Sequence, residues 1–239
     1  MAYIQVLKKS KHAVETTNLS ISWGEVNVLN QINFELNDGE KLAIVGPSGS
    51  GKSTILKILA GLILPTKGEL KIFGEKQTYL RLDQNNPPDV RLVFQNPALL
   101  GSLTIEENVG FLLKRNKNLS KQLIHEIVLE CLAEVGLFNI ENKLPNELSG
   151  GMQKRVSFAR ALIRDQTLNA KTKPLLLFDE PTAGLDPIAS SRIEDLINKT
   201  NEKANGSSIV VSHVLSTIER TSDKVLMLYG GKFLSLIHI

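Results

Sequence analysis

A glycine-rich loop between a short apolar segment and an amphipathic one constrains the fold of this chain more than any other feature. The loop covers residues 46–54 and reads GPSGSGKST, which fits the pattern G-x-x-x-x-G-K-[ST]. Before it, Lys41–Val45 has the apolar character of a buried strand, and residues 53–61 repeat apolar side chains at helical spacing. A loop that joins a strand to a helix in this way predicts an α/β fold.

Residues 46–54, here called the phosphate loop, have the composition of a phosphate-binding site. Glycines at positions 46, 49 and 51 let the backbone turn tightly, so that successive N–H groups point at phosphate oxygens. The helix N-terminus adds partial positive charge, Lys52 reaches the β- and γ-phosphates, and Ser53 offers a hydroxyl to Mg²⁺. A turn without a ligand is the less favoured alternative. The predicted nucleotide-binding residues of this loop are Gly46, Pro47, Ser48, Gly49, Ser50, Gly51, Lys52, Ser53 and Thr54.

A second apolar segment, residues 175–178 with the sequence LLLF, ends in two carboxylates. The segment is too short for a helix and too apolar for an exposed strand, so it predicts a central parallel strand. Asp179 lies at the carboxyl end of that strand, where it can hold Mg²⁺ beside Ser53. Glu180 follows and is placed to orient and deprotonate a water that attacks the γ-phosphate. The alternative is a strand-end turn with solvated acids.

Six motifs follow one another in a fixed order along the chain. They are the phosphate loop, Gln95 in LVFQNP, LSGGM at residues 148–152, LLLFDEP, GLD at residues 184–186, and His213 in VVSHV. This order resembles the ATP-binding cassette (ABC) family over nearly the whole chain. The resemblance implies an ATPase that uses ATP and Mg²⁺. It also implies one nucleotide-binding domain, residues 1–233, with an α/β P-loop NTPase core, a mostly parallel sheet, an antiparallel β subdomain and a helical subdomain at about residues 97–160.

The resemblance assigns roles to four further residues. Gln95 is similar to the residue that contacts Mg²⁺ and the attacking water, and His213 to the γ-phosphate contact. The predicted catalytic residues are thus Glu180, His213 and Gln95, and the predicted metal ligands are Ser53, Gln95 and Asp179. Trp23 is placed to stack on adenine, with Val28 as a lesser contact. Taken singly, a glutamine is usually a polar surface residue, a histidine packs or is solvated, and a lone tryptophan lies in a core. We interpret the other histidines, His12, His125 and His238, as structural or solvated.

The segment LSGGM explains why one chain is not a complete enzyme. Ser149, Gly150 and Gly151 precede a helix, so their N–H groups form a second anion site that faces outward. In the family this site closes on the ATP held by a second copy, in a head-to-tail dimer with two-fold symmetry. Asp186 is similar to the family's cross-dimer contact. Met152 and Val214 depart from the commonest residues, but neither position supplies a phosphate contact.

Composition limits the remaining classes. The formal charge of +3 is small and the basic residues are dispersed, so we expect no nucleic-acid partner. No segment reaches eighteen apolar residues, and the polar start lacks a signal-peptide core. Cys131 is the one cysteine, which suits a reducing compartment, and its sequence context predicts helix packing. We therefore expect a cytoplasmic protein, peripheral on the cytoplasmic face of the inner membrane through partner subunits.

The cargo is inferred from a closer resemblance. The stretches around FQNPALLGSLTIEENVGF, ELSGGMQKRVSFARAL and FDEPTAGLDPIASSRIEDLI resemble the ATPases of phospholipid transport systems that work with MCE-domain proteins, in their cyanobacterial and plastid branch. An STI segment at residues 216–218 followed by Arg220 is another mark of that branch. The implied partners are integral membrane permease subunits and an MCE-domain substrate-binding protein. Leu99, Leu100 and Phe111 are candidates for the groove that receives a permease helix, or alternatively for internal core.

Two other functions stay open at this point. One is a transport ATPase for a polar solute such as an amino acid. The other is a regulatory ATPase of the cell-division type, which uses ATP to switch a membrane partner without moving cargo.

Residues 234–239 raise a separate expectation. They read LSLIHI, which matches the translation of a transposase adapter end used in sequencing libraries. We expect this tail to be foreign to the domain and the reading frame to be truncated. The alternative is a genuine short apolar strand.

Overall fold

The computed structural model describes residues 11–84, 87–163 and 173–238, which form two β-sheets and six α-helices. The strands are β1 (His12–Trp23), β2 (Val26–Asn37), β3 (Lys41–Val45), β4 (Lys67–Ile72), β5 (Glu75–Lys76), β6 (Val90–Val93), β7 (Leu175–Asp179), β8 (Ser207–Val211), β9 (Lys224–Tyr229) and β10 (Lys232–His238). The α-helices are α1 (Lys52–Leu59), α2 (Ile105–Val109), α3 (Lys121–Glu134), α4 (Gly150–Leu162), α5 (Pro187–Ala204) and α6 (Leu215–Thr221).

The larger sheet is mostly parallel, as the sequence predicts. Its strand order is β10-β9-β3-β8-β7-β6, and the pairs from β9 to β6 all run parallel, whereas β10 pairs with β9 in the antiparallel sense. The apolar segment that ends in Asp179 is β7, which lies between β8 and β6. Every residue of β7 is buried, so its prediction as an internal parallel strand is confirmed.

Both faces of β7 are covered because its side chains alternate between two cores. Leu175 and Leu177 belong to a cluster with α1 and the smaller sheet. Leu176 and Phe178 belong to a cluster with α3 and α4. This arrangement explains why a strand at this position is apolar throughout rather than alternating with polar residues.

The smaller sheet is the predicted antiparallel subdomain. Its strand order is β2-β1-β4-β5, and all neighbouring pairs are antiparallel. The strands β1 and β2 form a long hairpin, in which Trp23 pairs with Val26 next to the turn. The chain then leaves this sheet through the turn at Asp38 and Gly39 and enters β3 of the parallel sheet.

The helices α2, α3 and α4 lie between β6 and β7 in the chain, within and just beyond the predicted helical range 97–160. Thr104 begins α2 with a capping box: its hydroxyl accepts from the N–H of Glu107, whose carboxylate accepts from the N–H of Thr104. The buried Asn108 fastens the preceding loop, since its side chain hydrogen-bonds both the N–H and the carbonyl of Leu100. Cys131 lies buried in α3, as expected, and burial raises the pKa of its thiol to about 11.

The last strand, β10, contains most of residues 234–239, and its side chains at Leu234, Leu236 and Ile237 are exposed. Ile239 lies outside the described residues. The foreign origin of this segment stays a prediction. Across the described part of the chain, none of the helices combines the length and the apolar character needed to cross a bilayer.

Candidate functional site

The phosphate loop and the predicted catalytic and metal-binding residues collect at the edge of the parallel sheet where the carboxyl ends of the strands meet. The phosphate loop follows β3, Asp179 ends β7, Glu180 comes directly after it, and His213 follows β8. Gln95 follows β6, whose Val93 is in register with Phe178 of β7. The topology therefore brings together residues that are more than a hundred positions apart in the sequence.

The phosphate loop has a backbone that only glycine fits at two of its positions. At Gly46 φ is 154°, and a Cβ atom there would lie 2.1 Å from the carbonyl oxygen of Leu228 in β9. At Gly51 φ is 103°, and a Cβ atom would lie 2.8 Å from a methyl carbon of Leu29. Because a backbone carbonyl cannot yield easily, Gly46 is needed for the loop to lie this close to the sheet.

The side chains of the loop fit a phosphate ligand. The Lys52 ammonium turns back on the loop and donates to the carbonyls of Gly46 at 2.8 Å and Pro47 at 3.0 Å. Ser50 is buried, and its hydroxyl has no hydrogen-bond partner in the described part of the chain. A cation and a spare buried donor within a glycine-rich turn are suited to anionic oxygens.

Ser53 and Asp179 form the pair that the sequence predicted as metal ligands. The Ser53 hydroxyl donates to Asp179 Oδ1 at 3.0 Å, although the two residues are 126 positions apart. Burial raises the pKa of Asp179, the Ser53 hydrogen bond opposes that rise, and the neighbouring Glu180 adds to it. A bound cation favours the ionised form of such a carboxylate. One carboxylate and one hydroxyl suit Mg²⁺, which takes its other oxygens from phosphates and water.

Glu180 and His213 form the second pair. His213 Nδ1 lies 2.9 Å from Glu180 Oε2, and the His213 ring is 66% exposed whereas the Glu180 side chain is 12% exposed. The Glu180 backbone has a φ of 45°, an uncommon conformation for a glutamate, and its N–H donates to the carbonyl of Val211 in β8. A carboxylate that is shielded on one side and held by an imidazole can orient a water molecule.

Gln95 shares the edge of the sheet with these pairs but is not bonded to them. Its side chain is exposed just beyond the end of β6. Among the described residues, the hydrogen bonds at this edge join Ser53 to Asp179 and Glu180 to His213, and none joins Gln95 to either pair. Its roles at the metal and the attacking water stay predictions.

The β1–β2 hairpin carries both predicted adenine contacts, and its Val28 lies beside the phosphate loop. Trp23 is 56% exposed, so the alternative of a core tryptophan is excluded. The Val28 carbonyl oxygen lies 3.2 Å from the position of a Cβ on Gly51, so this part of β2 touches the loop. An exposed indole on the hairpin offers a face on which a base can stack.

The signature residues, Ser149, Gly150 and Gly151, begin α4 and are accessible. The Ser149 hydroxyl caps the helix by accepting from the N–H of Met152 at 3.3 Å. A Cβ atom added to Gly150 or Gly151 would meet no other atom within 4 Å, so the space in front of the helix N-terminus is open. The start of α4 is therefore accessible from outside, and its role as a second anion site stays a prediction.

Asp186 has a role in its own chain that sequence reasoning missed. Its carboxylate caps α5 by accepting from the N–H groups of Ile188 and Ala189, each at 3.0 Å. The pKa of Asp186 is lowered chiefly by the hydrogen bond from Ala189. The order aspartate–proline at the start of α5 is a helix-start signal that was available in the sequence. A cross-dimer contact by Asp186 stays a prediction.

The three groove candidates divide into two kinds. Leu99 is partly buried against the helical core, which agrees with the alternative of internal packing. Leu100 and Phe111 are 47% and 48% exposed. These two side chains are therefore available at the surface near α2.

Sequence reasoning also missed a lysine and a buried polar network near Glu180. Lys154 of α4 donates to the carbonyls of Pro181 and Ala183, which follow Glu180. In the network, Thr182 hydrogen-bonds Thr217, Thr217 donates to Glu194, and Arg220 pairs with Glu194 at 2.9 Å and with Asp195 at 2.7 Å. The sequence had marked Thr217 and Arg220 only as part of the STI segment and the arginine after it.

Comparisons with known proteins agree with this geometry. A family model described as ABC transporter matches residues 29–183. The chain is 48% identical over 229 residues to the chloroplastic protein TRIGALACTOSYLDIACYLGLYCEROL 3 of Arabidopsis thaliana. This alignment covers 92% of our chain and 66% of the plant protein. The chain is 34% identical over 230 residues to the intermembrane phospholipid transport system ATP-binding protein MlaF of Haemophilus influenzae. That alignment covers 95% of the chain and 84% of MlaF.

Solved structures show the same architecture. The dimeric ATP-binding cassette MJ0796 in a post-hydrolysis state, bound to ADP and Pi, superposes with a TM-score of 0.80 at 31% identity. The match covers 94% of this chain and 98% of MJ0796. The predicted fold class is therefore confirmed.

Proposed function

Because the chain belongs to the ABC transporter family of ATPases, we propose that it is the ATP-hydrolysing subunit of a transporter for phospholipids or glycerolipids that works with an MCE-type system. The observation that carries the ATPase activity is the meeting of the pairs Ser53–Asp179 and Glu180–His213 at the edge of the sheet where the phosphate loop begins. The choice of a lipid as the cargo rests on the sequence identity of the chain to its relatives.

Each residue pair has a task in hydrolysis. The phosphate loop binds the triphosphate of ATP, and Lys52 neutralises its β- and γ-oxygens. Ser53 and Asp179 are the residues that would hold Mg²⁺, which supplies positive charge to the phosphate oxygens. Glu180 orients a water and accepts its proton as the water oxygen attacks the γ-phosphorus, while the bond from that phosphorus to the bridging oxygen breaks and ADP leaves with that oxygen. His213 keeps the Glu180 carboxylate in position through Nδ1 and presents its exposed ring to the γ-phosphate.

The lipid cargo rests on the relatives. The plant relative named for trigalactosyldiacylglycerol is 48% identical to this chain, and MlaF is named for intermembrane phospholipid transport. A polar cargo has weaker support: the Fe(3+) ions import protein FbpC of Escherichia coli O157:H7 is 36% identical over 227 residues and has only 62% of its length covered. The higher identity of the plant relative favours a lipid.

The complete enzyme in our proposal is a head-to-tail dimer. Each of two ATP molecules lies between the phosphate loop of one chain and residues 149–151 of the other. The open space before α4 and the dimeric form of MJ0796 support this arrangement. The remaining partners are permease subunits and an MCE-domain protein, which hold the ATPase on the cytoplasmic face of the membrane. Leu100 and Phe111 are the surface residues that we assign to the permease contact.

The change Glu180→Gln tests the catalytic assignment. The glutamine keeps a similar shape but cannot accept a proton, so we expect ATP binding within about twofold of the original and turnover lowered by about a hundredfold or more. The ATP-bound variant should accumulate as a dimer in size-exclusion chromatography. Lys52→Ala is the matched control, which should lose nucleotide affinity as well as turnover. Full hydrolysis by Glu180→Gln would remove Glu180 as the base.

The change Ser149→Arg tests the dimer. Ser149 is exposed at the start of α4, so an arginine there removes the helix cap but does not alter the phosphate loop, and its side chain blocks the approach of a second chain. We expect unchanged ATP binding to the monomer and no dimer when the change is combined with Glu180→Gln. A dimer that still forms with ATP would contradict the proposed arrangement.

The cargo is tested on the complex with its own permease. After purification in detergent, bound lipids are extracted and identified by mass spectrometry, and the ATPase rate is measured with and without added phospholipid vesicles. Enrichment of one phospholipid or glycerolipid class supports the proposal. A stimulated ATPase rate with an amino acid and a periplasmic solute-binding protein, or a rate insensitive to any cargo, would favour a polar solute or a regulatory role instead.

A further inference from the structure

Lys154 joins the helix of the signature residues to the turn that follows Glu180. It lies in the second turn of α4, a few residues after Ser149. Its ammonium donates to the carbonyl of Ala183 at 2.5 Å and lies 3.5 Å from the carbonyl of Pro181. We propose that Lys154 is a positioning residue for ATP hydrolysis, which acts by fixing the turn behind Glu180 of its own chain.

Lys154 contacts those carbonyls of the turn after Glu180 that accept none of the hydrogen bonds within the turn. The N–H of Ala183 bonds to the carbonyl of Glu180, and the N–H of Leu185 bonds to the carbonyl of Thr182. These two acceptors alternate along the chain with the carbonyls of Pro181 and Ala183, which face Lys154. A hydrogen bond from a charged donor is stronger than one between neutral groups, so Lys154 adds to the hydrogen bonds that stabilise this turn.

The turn needs holding because Glu180 has a strained backbone. Its φ of 45° lies in the left-handed region, which a glutamate leaves unless its surroundings fix it. On one side the Glu180 N–H is fixed by the carbonyl of Val211. On the other side the chain continues directly into the two carbonyls that Lys154 contacts, so a displacement of the turn displaces the carboxylate.

Lys154 acts together with a second contact on the same face of α4. Phe158 lies four residues further on, one turn of helix away, and stacks on Phe178 of β7 with ring centroids 5.5 Å apart and an interplanar angle of 21°. One face of α4 is thus attached both to the strand that carries Asp179 and Glu180 and to the turn beyond it. Thr182, which lies between the two residues that Lys154 contacts, is tied to α6 by a buried hydrogen bond to Thr217.

The environment of the ammonium supports this role. Burial lowers the pKa of Lys154, which means that the charged form is partly removed from water. A lysine that only solubilised the helix surface would extend its ammonium into solvent. The Lys154 side chain instead extends from α4 to the turn after β7, where its ammonium contacts two backbone carbonyls.

The first test uses the full chain with Lys154→Met, which keeps the length of the side chain and removes the donor. We expect turnover at saturating ATP to fall about tenfold, with KM and the ATP affinity of the monomer within about twofold, because the phosphate loop is not altered. Lys154→Arg should recover at least half of the turnover since it restores a charged donor. Lys121→Met, at an exposed lysine of α3, is the matched control and should leave turnover unchanged.

The second test separates an effect on the own chain from an effect on the partner. This test rests on the proposed dimer, and differently tagged subunits allow mixed dimers to be purified. The reference is a dimer of one original chain and one Glu180→Gln chain, which retains a single working Glu180. Adding Lys154→Met to the Glu180→Gln chain should leave the rate of the reference unchanged. Adding it to the other chain, beside the working Glu180, should lower the rate about tenfold.

Each outcome decides the proposal. Equal rates in the two mixed dimers, or a loss only when Lys154→Met lies in the Glu180→Gln chain, would overturn positioning in the same chain. A loss in Lys154→Met and Lys154→Arg alike, accompanied by a lower melting temperature, would show a structural role instead. Failure of the proposed dimer is recognised separately, because then the reference itself does not form.

Discussion

At the scale of single residues, the catalytic edge depends on backbone positions that most side chains do not tolerate. Glu180 has a positive φ at the end of β7, and Gly46 lies so close to Leu228 that a methyl group does not fit. Strained conformations of this kind persist where the surrounding structure fixes them, and they are common in active sites. The local strain is therefore part of how the phosphate loop and Glu180 are placed.

The change Gly46→Ala tests whether the phosphate loop needs the close approach of Gly46 to Leu228. The new Cβ would lie 2.1 Å from the carbonyl oxygen of Leu228, so the loop must move away from β9. We expect ATP affinity to fall at least about tenfold, which corresponds to about 1.4 kcal/mol of binding free energy, as measured by calorimetry. Gly101→Ala is the control, since its Cβ would meet no atom within 4 Å. Affinity within twofold of the original in Gly46→Ala would show that the loop adapts without cost.

At the scale of elements, β3 is held in place by the turn that precedes it. Glu40 accepts from the backbone N–H and the side-chain amide of Asn37, both at 2.9 Å, and pairs with Lys224 of β9 at 2.6 Å. Burial acts to raise the pKa of Glu40, but the hydrogen bonds from Lys224 and Asn37 outweigh burial and lower it to about 2. The carboxylate thus links β2, β3 and β9 just before the phosphate loop.

This pKa predicts how stability changes with pH. A carboxyl group with a lowered pKa in the folded state stabilises the fold above its unfolded pKa of about 4.5, and this stabilisation is lost as pH falls toward about 2. Glu40→Gln should therefore lower the free energy of unfolding by about 2 kcal/mol at pH 7, after allowance for solvent screening. The difference from the original protein should shrink between pH 4.5 and pH 3.

Urea denaturation at several pH values measures this difference. Glu75→Gln, at an exposed position of β5, is the matched control and should change stability by less than about 0.5 kcal/mol. A stability difference between Glu40→Gln and the original protein that stays constant from pH 7 to pH 3 would disprove the electrostatic explanation.

At the scale of the whole molecule, our proposal gives one chain the halves of two different nucleotide sites. The phosphate loop lies at the edge of the parallel sheet, whereas the signature residues lie at the start of α4 among the helices. In the proposed dimer, each half meets the opposite half of another chain. Turnover is then a property of the pair, while ATP binding is a property of the single chain.

This division predicts a dependence on protein concentration. For the isolated chain, the ATPase rate per subunit should rise with concentration over a hundredfold dilution series, whereas the ATP affinity should stay constant. In the complex with a permease, two subunits are held together and the rate per subunit should no longer depend on dilution. A constant rate per subunit in the isolated chain at every dilution would mean that a single chain hydrolyses ATP.

The sequence predicted those parts of the site in which function depends on residue type and spacing. The phosphate loop, Asp179 after an apolar strand and Ser149 before a helix have local patterns that can be recognised without a fold. Lys154 could not be predicted in this way, because its acceptors lie 27 and 29 positions further along the chain and come close only when α4 packs on β7. The same reason applies to the bond between Thr182 and Thr217.

The exposed position of Trp23, the predicted adenine contact, offers an optical test of nucleotide binding. It is the one tryptophan of the chain, it lies on the hairpin whose Val28 touches the phosphate loop, and it is 56% exposed. Emission excited at the red edge of protein absorbance therefore comes from this indole alone. A base stacked on the ring would shield it from soluble quenchers, so the quenching of Trp23 fluorescence should decrease as ATP is added to the unlabelled protein. Lys52→Ala, which should lose nucleotide affinity, is the reference in which the quenching should not change.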